Sequence, residues 1–352
     1  MARRPGRKPP PSPLEQRDGV DPVRVRLPGS GSPHPGSESR GGRADDAPWP
    51  TVRDFLAERY GPAIGPARVD AMVAAGRFVT ADGPVGPRTP YEAGAWVWFH
   101  RDFAPEAPVP FPAGIVYQDE RIVVADKPHF LATTPRGRHV TQTALARLRR
   151  DLGLPRLSPA HRLDRLTAGL ALFVVRPEDR GAYQSLFRDR RVAKEYEAVA
   201  GYDPALGLPL TVRSRIVKER GWIGAREEPG APNAESRIEL LEQRAGLGRY
   251  RLLPATGRTH QLRVHMNALG LPILNDPVYP ALAPEPPDGD FSRPLQLLAR
   301  ALEFTDPVTG RPMRFESARE LAAWPRAGSA AMETRWERSE DAPGLRPSTP
   351  PG

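Results

Sequence analysis

Apolar positions along this chain recur at two spacings, and the switches between them mark its elements. In TVRDFLAERYG, Val52, Phe55, Leu56 and Tyr60 fall at helical spacing behind Thr51, a suitable N-cap. ARVDAMVAAGRF repeats the pattern with Val69, Met72 and Val73, and Gly76 fits its C-terminal end. FVTADGPVGP and AGAWVWFHRD then read as short strands around turns. GIVYQDERIVVADKP holds two apolar runs on either side of a polar QDER turn, which predicts a hairpin ending at Lys127 and Pro128. VTQTALARLRRDLG predicts an amphipathic helix with Thr141 near its start and Gly153 near its end. LALFVV at 170–175 reads as a buried strand. RPEDRGAYQSLFRDRR opens on Pro177 and two acids, as a helix start prefers, and puts Tyr183, Leu186 and Phe187 on one face. VAKEYEAVAGY, SRIELLEQ, RYRLLPA and LQLLARALEF add further strands. So many strands with hairpin-like turns predict an α+β fold, a mostly antiparallel sheet with helices packed on it. No internal repeat is evident.

Where periodicity fails, the pattern predicts boundaries. Residues 1–46 are rich in Pro, Gly, Ser and Arg and read as a disordered basic arm, and 325–352 as a disordered tail. Between them lie a small α+β unit at 47–103, a stiff Pro-rich linker at 104–112 and a larger domain at 113–324. The helix, helix, strand order of the small unit resembles an RNA-binding module first described in ribosomal proteins.

Composition narrows the chemistry. The chain has 352 residues, enough for two domains, and no apolar run near the roughly 20 residues needed to span a bilayer. Its start, MARRPGRKPPPSP, has no apolar stretch of the kind a signal peptide needs, so a cytoplasmic protein is expected. With no cysteine there is no disulfide framework, thiolate metal site or thiol chemistry. A formal charge of +9 favours a polyanionic partner, although scattered cations are also ordinary solvated surface. Of the 51 basic residues only Lys8, Lys127, Lys194 and Lys218 are lysine, so a retained lysine is mildly informative.

One stretch concentrates charge where burial begins. HRLDRLTAG, at 161–169, sets Asp164 between Arg162 and Arg165 and runs straight into LALFVV. Taken alone this is an ion-pair cluster capping a strand, or a carboxylate kept ionised by an opposed cation and available as nucleophile or base. Four other segments favour the second reading: DKP at 126–128, VAKEYEA at 192–198, ATGRTHQLRVHMNALGLPILNDPVYP at 255–280 and LLARALEFTDPVTGRPMRF at 297–315. Their order and spacing resemble RluA-type RNA pseudouridine synthases, whose pattern is a KP motif, HRLD-x-x-T-S/A-G, K-x-Y, TGR-T/R-HQ-L/I-R-x-H, an LHA-like strand and F-x-x-P-x-T-G. The resemblance covers about residues 113–320.

It implies that Asp164 is the carboxylate that attacks the ribose of a target uridine or takes a proton from it, in a site largely shed of water. It implies a cation beside that acid, Arg263 or Arg258, with the HQLR arginine favoured. Arg162 is the position that fills the gap left by the flipped base, since a guanidinium stacks on bases and bonds phosphate. Tyr196 offers a face to the flipped base and a hydroxyl for proton movement at C5. Leu262 or Val264 forms the apolar floor. His260 and Arg165 are expected against phosphate or as structural neighbours, and Lys127, Thr167 and Gly169 as structural residues near the site. No metal or organic cofactor is implied. The expected partner is ribosomal or transfer RNA, with no membrane, and the chain is expected to be a monomer.

Departures from the pattern are few. Ala168 stands where serine is common. HFLATTP replaces a small, Gly-containing turn. Asn275 occupies a position commonly glycine, where asparagine is the next residue able to adopt a left-handed backbone. Two other readings stay open on sequence: an RNA-binding protein on the same fold without catalysis, and a metal-dependent hydrolase built on the histidines. The five-residue spacing of His260 and His265 disfavours the latter on helix or strand, because it points them apart.

Overall fold

The computed structural model describes residues 10–29, 49–102, 105–219, 221–284 and 286–325, which form two compact units. The smaller unit holds the described residues up to Ala107 together with Thr134–Arg156. Its elements are β1 (Val23–Arg26), α1 (Val52–Ile64), α2 (Pro66–Ala74), β2 (Phe78–Thr80), β3 (Gly83–Pro84), β4 (Trp96–Phe99) and α3 (Ala144–Asp151). The strands form an antiparallel sheet in the order β1-β4-β2-β3. Thr51 caps α1 by accepting the Asp54 N–H, and Gly76, at φ +62°, lets the Arg77 N–H reach back to Met72 and close α2. The apolar faces foreseen on α1 and α2 bury Val52, Phe55, Leu56, Val69, Met72 and Val73 against Phe78, Val97 and Phe99.

Two expectations change here. The arm expected to be disordered over 1–46 contains β1, which pairs along β4 and buries Val25 and Leu27 in the same core. Alternation explains it, since VRVR turns its valines inward and its arginines outward, a pattern too short to stand out in a Pro- and Gly-rich stretch. Residues 1–9 and 30–46 of that arm, residues 47–48 and the tail from 326 lie outside the described residues. The segment at 134–156, expected within the larger domain, belongs to the smaller unit. Glu106, from the expected linker, accepts the backbone N–H groups of Val140, Thr141 and Gln142, while Arg149 of α3 donates to the Gly19 carbonyl and to Asp21. Thr143, two residues after the expected position, caps α3.

The larger unit is made of Pro108–Thr133 and the described chain from Leu157. It begins with the hairpin β5 (Gly114–Gln118) and β6 (Ile122–Lys127), closed by the Asp119 carboxylate on the N–H groups of Arg121 and Ile122. Next come β7 (Ser158–Pro159), β8 (Ala168–Val174), α4 (Arg180–Arg188) and β9 (Ala193–Gly201). β10 (Leu210–Val217), β11 (Arg226–Glu228), β12 (Ala234–Arg244) and β13 (Leu247–Pro254) lead to α5 (Gln261–Ala268), β14 (Leu297–Thr305) and β15 (Pro312–Glu316). The strands form one 11-stranded sheet in the order β11-β10-β12-β13-β9-β14-β8-β6-β5, with β15 beside β14 and β7 beside β8. Every pairing is antiparallel except β8 with β14, so the α+β, mostly antiparallel expectation holds. α4 packs Tyr183 and Leu186 on Ile122, Val124, Leu170 and Leu172, and α5 packs Leu262 and Met266 on Ala198, Ile238, Tyr250 and Leu252.

The parallel step organises the middle of the sheet. Lys127 of β6 pairs with Gly169 of β8, Gly169 with Ala299 of β14, and Ala299 with Tyr196 of β9, so these residues form one row across four strands. The row closes only because position 169 has no side chain. A Cβ there would fall on the Ala299 carbonyl oxygen and lie 2.7 Å from its nitrogen, and the backbone φ is +106°. Gly169→Ala is therefore expected to cost about 3–5 kcal/mol in denaturant unfolding, combining a strained φ with a backbone clash. Gly137→Ala, where φ is +58° and no atom lies within 4 Å, serves as the control for strain alone. Equal losses at the two positions would remove the special role of Gly169.

Candidate active site

The loop that leads into β8 is held at nearly every residue. The Leu172 N–H donates to His161 Nε2 at 3.1 Å, and that imidazole stacks on Phe187 at 4.1 Å. The Thr133 hydroxyl donates to the Leu163 carbonyl at 2.8 Å and accepts the Leu163 N–H at 3.1 Å. His129 Nδ1 binds the Leu166 carbonyl at 2.7 Å, and the Thr167 N–H closes a turn on the Asp164 carbonyl at 3.1 Å. Lys127, fully buried, donates to the carbonyls of Pro128, Leu131 and Arg165 at 3.1, 2.8 and 3.4 Å. Three carbonyl dipoles thus solvate an ammonium taken out of water. Burial pushes it down to about 7, while the Asp164 charge works in the opposite direction.

This scaffold leaves Asp164 at the turn with its side chain 34% exposed. Two groups face its Oδ2: Arg263 Nη1 at 3.9 Å and His260 Nε2 at 3.8 Å. Both distances are too long for hydrogen bonds, so these groups set the electrostatics around the carboxylate without occupying its lone pairs. Arg263, buried on α5, spends its other nitrogens on Asp276, with Nε and Nη2 each 2.7 Å from a carboxylate oxygen. The guanidinium also lies 5.3 Å from the centre of the Tyr279 ring. His260, left-handed at φ 55° before the first turn of α5, shares a 3.1 Å hydrogen bond between Nδ1 and the Tyr279 hydroxyl. Burial pushes His260 down to about 4 despite Asp164, so the imidazole is neutral near neutral pH and Arg263 is the cation of the pair.

Tyr196 lies half-buried on β9, packed against the cluster that contains Leu262. Burial, and secondly the Asp164 charge, push its phenol well above the ordinary range, so the hydroxyl is a neutral donor and acceptor rather than a phenolate. Two residues earlier, Lys194 donates to the Thr256 carbonyl at 3.0 Å, tying β9 to the TGRTHQ segment. Gln261 shapes that segment from inside. Its Oε1 takes the Thr256 hydroxyl and the Arg258 N–H, and its Nε2 donates to Glu235 O and Ser236 Oγ.

The structure therefore brings Asp164, Arg263, His260, Lys127 and Thr167 together, with Tyr196 and Leu262 in the adjoining apolar cluster. Of the two arginines offered for the cation, Arg263 faces Asp164, whereas the exposed Arg258 donates to the Asn233 carbonyl at 3.1 Å. Arg162 is exposed beside Asp164. Arg165 contributes its carbonyl to Lys127. Val264 belongs to a separate cluster with Ile216, Ala225, Ala234 and Tyr279. His265 is buried and meets Ser214 Oγ at 3.1 Å, away from His260, and no group of three or more His, Asp or Glu able to hold a metal ion occurs among the described residues. Asn275 takes the left-handed backbone expected of it, at φ 61°. Phe130, in the unusual HFLATTP turn, is also left-handed at φ 67°, with its ring 5.2 Å from Phe291. Sequence reasoning passed over Asp276 and Tyr279. The signal available was an acid and a tyrosine in NDPVY directly behind the HQLR helix.

Residues 121–268, which include Asp164, Tyr196 and Arg263, match the family model described as RNA pseudouridylate synthase. The mitochondrial tRNA pseudouridine(32) synthase of Saccharomyces cerevisiae is 33% identical over 172 residues, 48% of this chain and 37% of that protein. The dual-specificity RNA pseudouridine synthase RluA of Escherichia coli is 35% identical over 208 residues, 58% of this chain and 91% of that protein. The ribosomal large subunit pseudouridine synthase D of Pseudomonas aeruginosa is 31% identical over 293 residues, 75% of this chain and 87% of that protein. The chain thus matches little more than a third of the yeast protein's length but most of both bacterial ones.

Asp276→Ala is expected to cost about 3–5 kcal/mol, because it strands a buried guanidinium, and the paired change Asp276→Leu with Arg263→Met is expected to cost less. Denaturant titration decides between them, and a loss under about 1 kcal/mol for Asp276→Ala would make the pair structurally idle. Burial sets the pH response as well. His129, His161 and His260 are held at about 4, 3 and 4 against 6.5 in the open chain. Their contribution to stability is therefore complete above 6.5 and declines as pH falls toward 4, because the unfolded state binds protons first. The thermal midpoint should drop over that interval, and less steeply in His161→Gln.

Proposed function

The chain belongs to the RNA pseudouridylate synthase family, of the RluA type, and from that premise we propose that it isomerises uridine to pseudouridine in RNA. One observation supports this most: a carboxylate at the head of a pinned turn, faced by a buried arginine that is itself locked by a second acid. A protein that only held RNA would gain nothing from aiming an uncapped carboxylate at a polyanion.

The reaction conserves every atom. The bond from N1 of uracil to C1′ of ribose breaks, the detached base turns, C5 bonds to C1′, and the proton lost from C5 is balanced by one gained at N1. Asp164 attacks the ribose or takes a proton from it as the first bond breaks. Arg263 sets a positive charge 3.9 Å from Asp164 Oδ2, beyond hydrogen-bond reach, and so leaves that oxygen free for substrate. Tyr196 lies along the released base and, held protonated, hydrogen-bonds it. Leu262 supports the base from below, and Arg162 enters the stack where the uridine flipped out. The substrate class is structured ribosomal or transfer RNA, the classes named for the yeast and Pseudomonas relatives.

RNA carrying tritium at C5 of uracil tests this directly, because isomerisation releases the label. The purified chain is expected to release tritium, and Asp164→Asn to release none while retaining RNA within about threefold of the wild-type affinity. Release by Asp164→Asn at the wild-type rate would contradict the assignment. In single-turnover measurements Arg162→Ala should slow conversion by more than it weakens filter-bound affinity. An equal loss in both would reduce Arg162 to a phosphate contact.

A further inference from the structure

Trp222 and Ile223 stand 63% and 65% exposed in the loop between β10 and β11. Exposed large apolar neighbours mark a contact surface, and here the loop is fastened beside the candidate catalytic group. Ala225 closes on the Tyr279 hydroxyl twice, donating its N–H and accepting the hydroxyl proton at its carbonyl, each at 2.8 Å. Gly224 runs so near this turn that a Cβ would lie 3.1 Å from Val278 Cγ1. Tyr279 in turn bonds His260 and lies against Arg263, the two groups that face Asp164. At the loop's other foot, the charge of Lys218 is felt at His260. Trp222 is three residues from the Ala225 anchor, so it stays within about 10 Å of it. The ring is also oriented: the Arg226 guanidinium sits 5.7 Å from its centre and is itself tied to Glu219 and Glu228, which leaves the rest of the indole in solvent.

We propose that Trp222 is a stacking platform for an unpaired RNA base next to the target uridine, with Ile223 covering the adjoining sugar. The proposal rests on the pseudouridine synthase reading above and adds to it a surface that positions the substrate. Flipping a nucleotide breaks the stack on both sides of it, and the base left behind regains a partner on a fixed aromatic face. A local charge balance around Arg226 suits this contact, because stacking accepts any base and does not depend on neutralising phosphate. Its contribution should survive added salt, whereas phosphate contacts fade with it.

The test uses the full chain and total RNA from cells lacking the gene, with new pseudouridines mapped chemically at limiting and at saturating RNA. Trp222→Ala is expected to slow conversion about tenfold at limiting RNA and little at saturation, at low and high salt alike, and Trp222→Phe to remain within about threefold of wild type. Unchanged thermal midpoints establish that both variants fold. Conversion by Trp222→Ala at the wild-type rate, or an equal loss in Trp222→Phe, overturns the stacking role alone. Absence of new pseudouridine with the wild-type chain overturns the functional reading, and this inference with it.

Discussion

Two parallel strands meet in the middle of an otherwise antiparallel sheet with no room for a side chain between them. Gly169 on β8 faces Ala299 on β14 at a distance that only glycine tolerates, in a backbone conformation that L-residues avoid. Without that approach β8 would be pushed from β14, and the row that runs from Lys127 through Gly169 and Ala299 to Tyr196 would not close. The row fixes Tyr196 and the buried lysine relative to the strand that the Asp164 turn feeds. Lys127 then reaches back to the Arg165 carbonyl, so one pairing register sets both ends of the site.

Electrostatics divide the work among the charged groups. Arg263 makes its short contacts with Asp276, whose side chain is buried, and its long one with Asp164, which is partly open to solvent. The first acid satisfies the guanidinium's fork geometry with two 2.7 Å contacts. The second meets Arg263 and His260 only at 3.9 and 3.8 Å, so neither group ties up its oxygen in a strong hydrogen bond. His260 is the neutral third party. Its partner Tyr279 is bonded at both Ala225 groups, which couples the imidazole to the loop that bears Trp222.

Much of this was legible from residue order. The helices around Phe55 and Met72, the hairpin ending at Lys127 and the strands around Tyr196 and Leu252 follow from local periodicity. Asp164, Tyr196 and Arg263 stand in motifs whose joint spacing is distinctive. What stayed hidden depends on contacts distant in sequence. β1 is four residues inside a Pro-rich arm, and only the unpaired edge of β4, some 70 residues on, makes it a strand. Arg258 and Arg263 were both open as the cation because their separation is settled by the helix that begins at Gln261 and points only the second toward Asp164. Asp276 follows a left-handed asparagine whose backbone was anticipated, yet its bond to Arg263 needs the three-dimensional turn to be seen.

The central claim is that Asp164, in this setting, makes pseudouridine in RNA. Mapping pseudouridines across total RNA from cells with the gene deleted, and from the same cells supplied with the wild-type or the Asp164→Asn chain, tests it most directly. One or more sites lost on deletion, restored by the wild-type chain and left unmodified by Asp164→Asn is the expected result. An unchanged map on deletion, or restoration by Asp164→Asn, would contradict it.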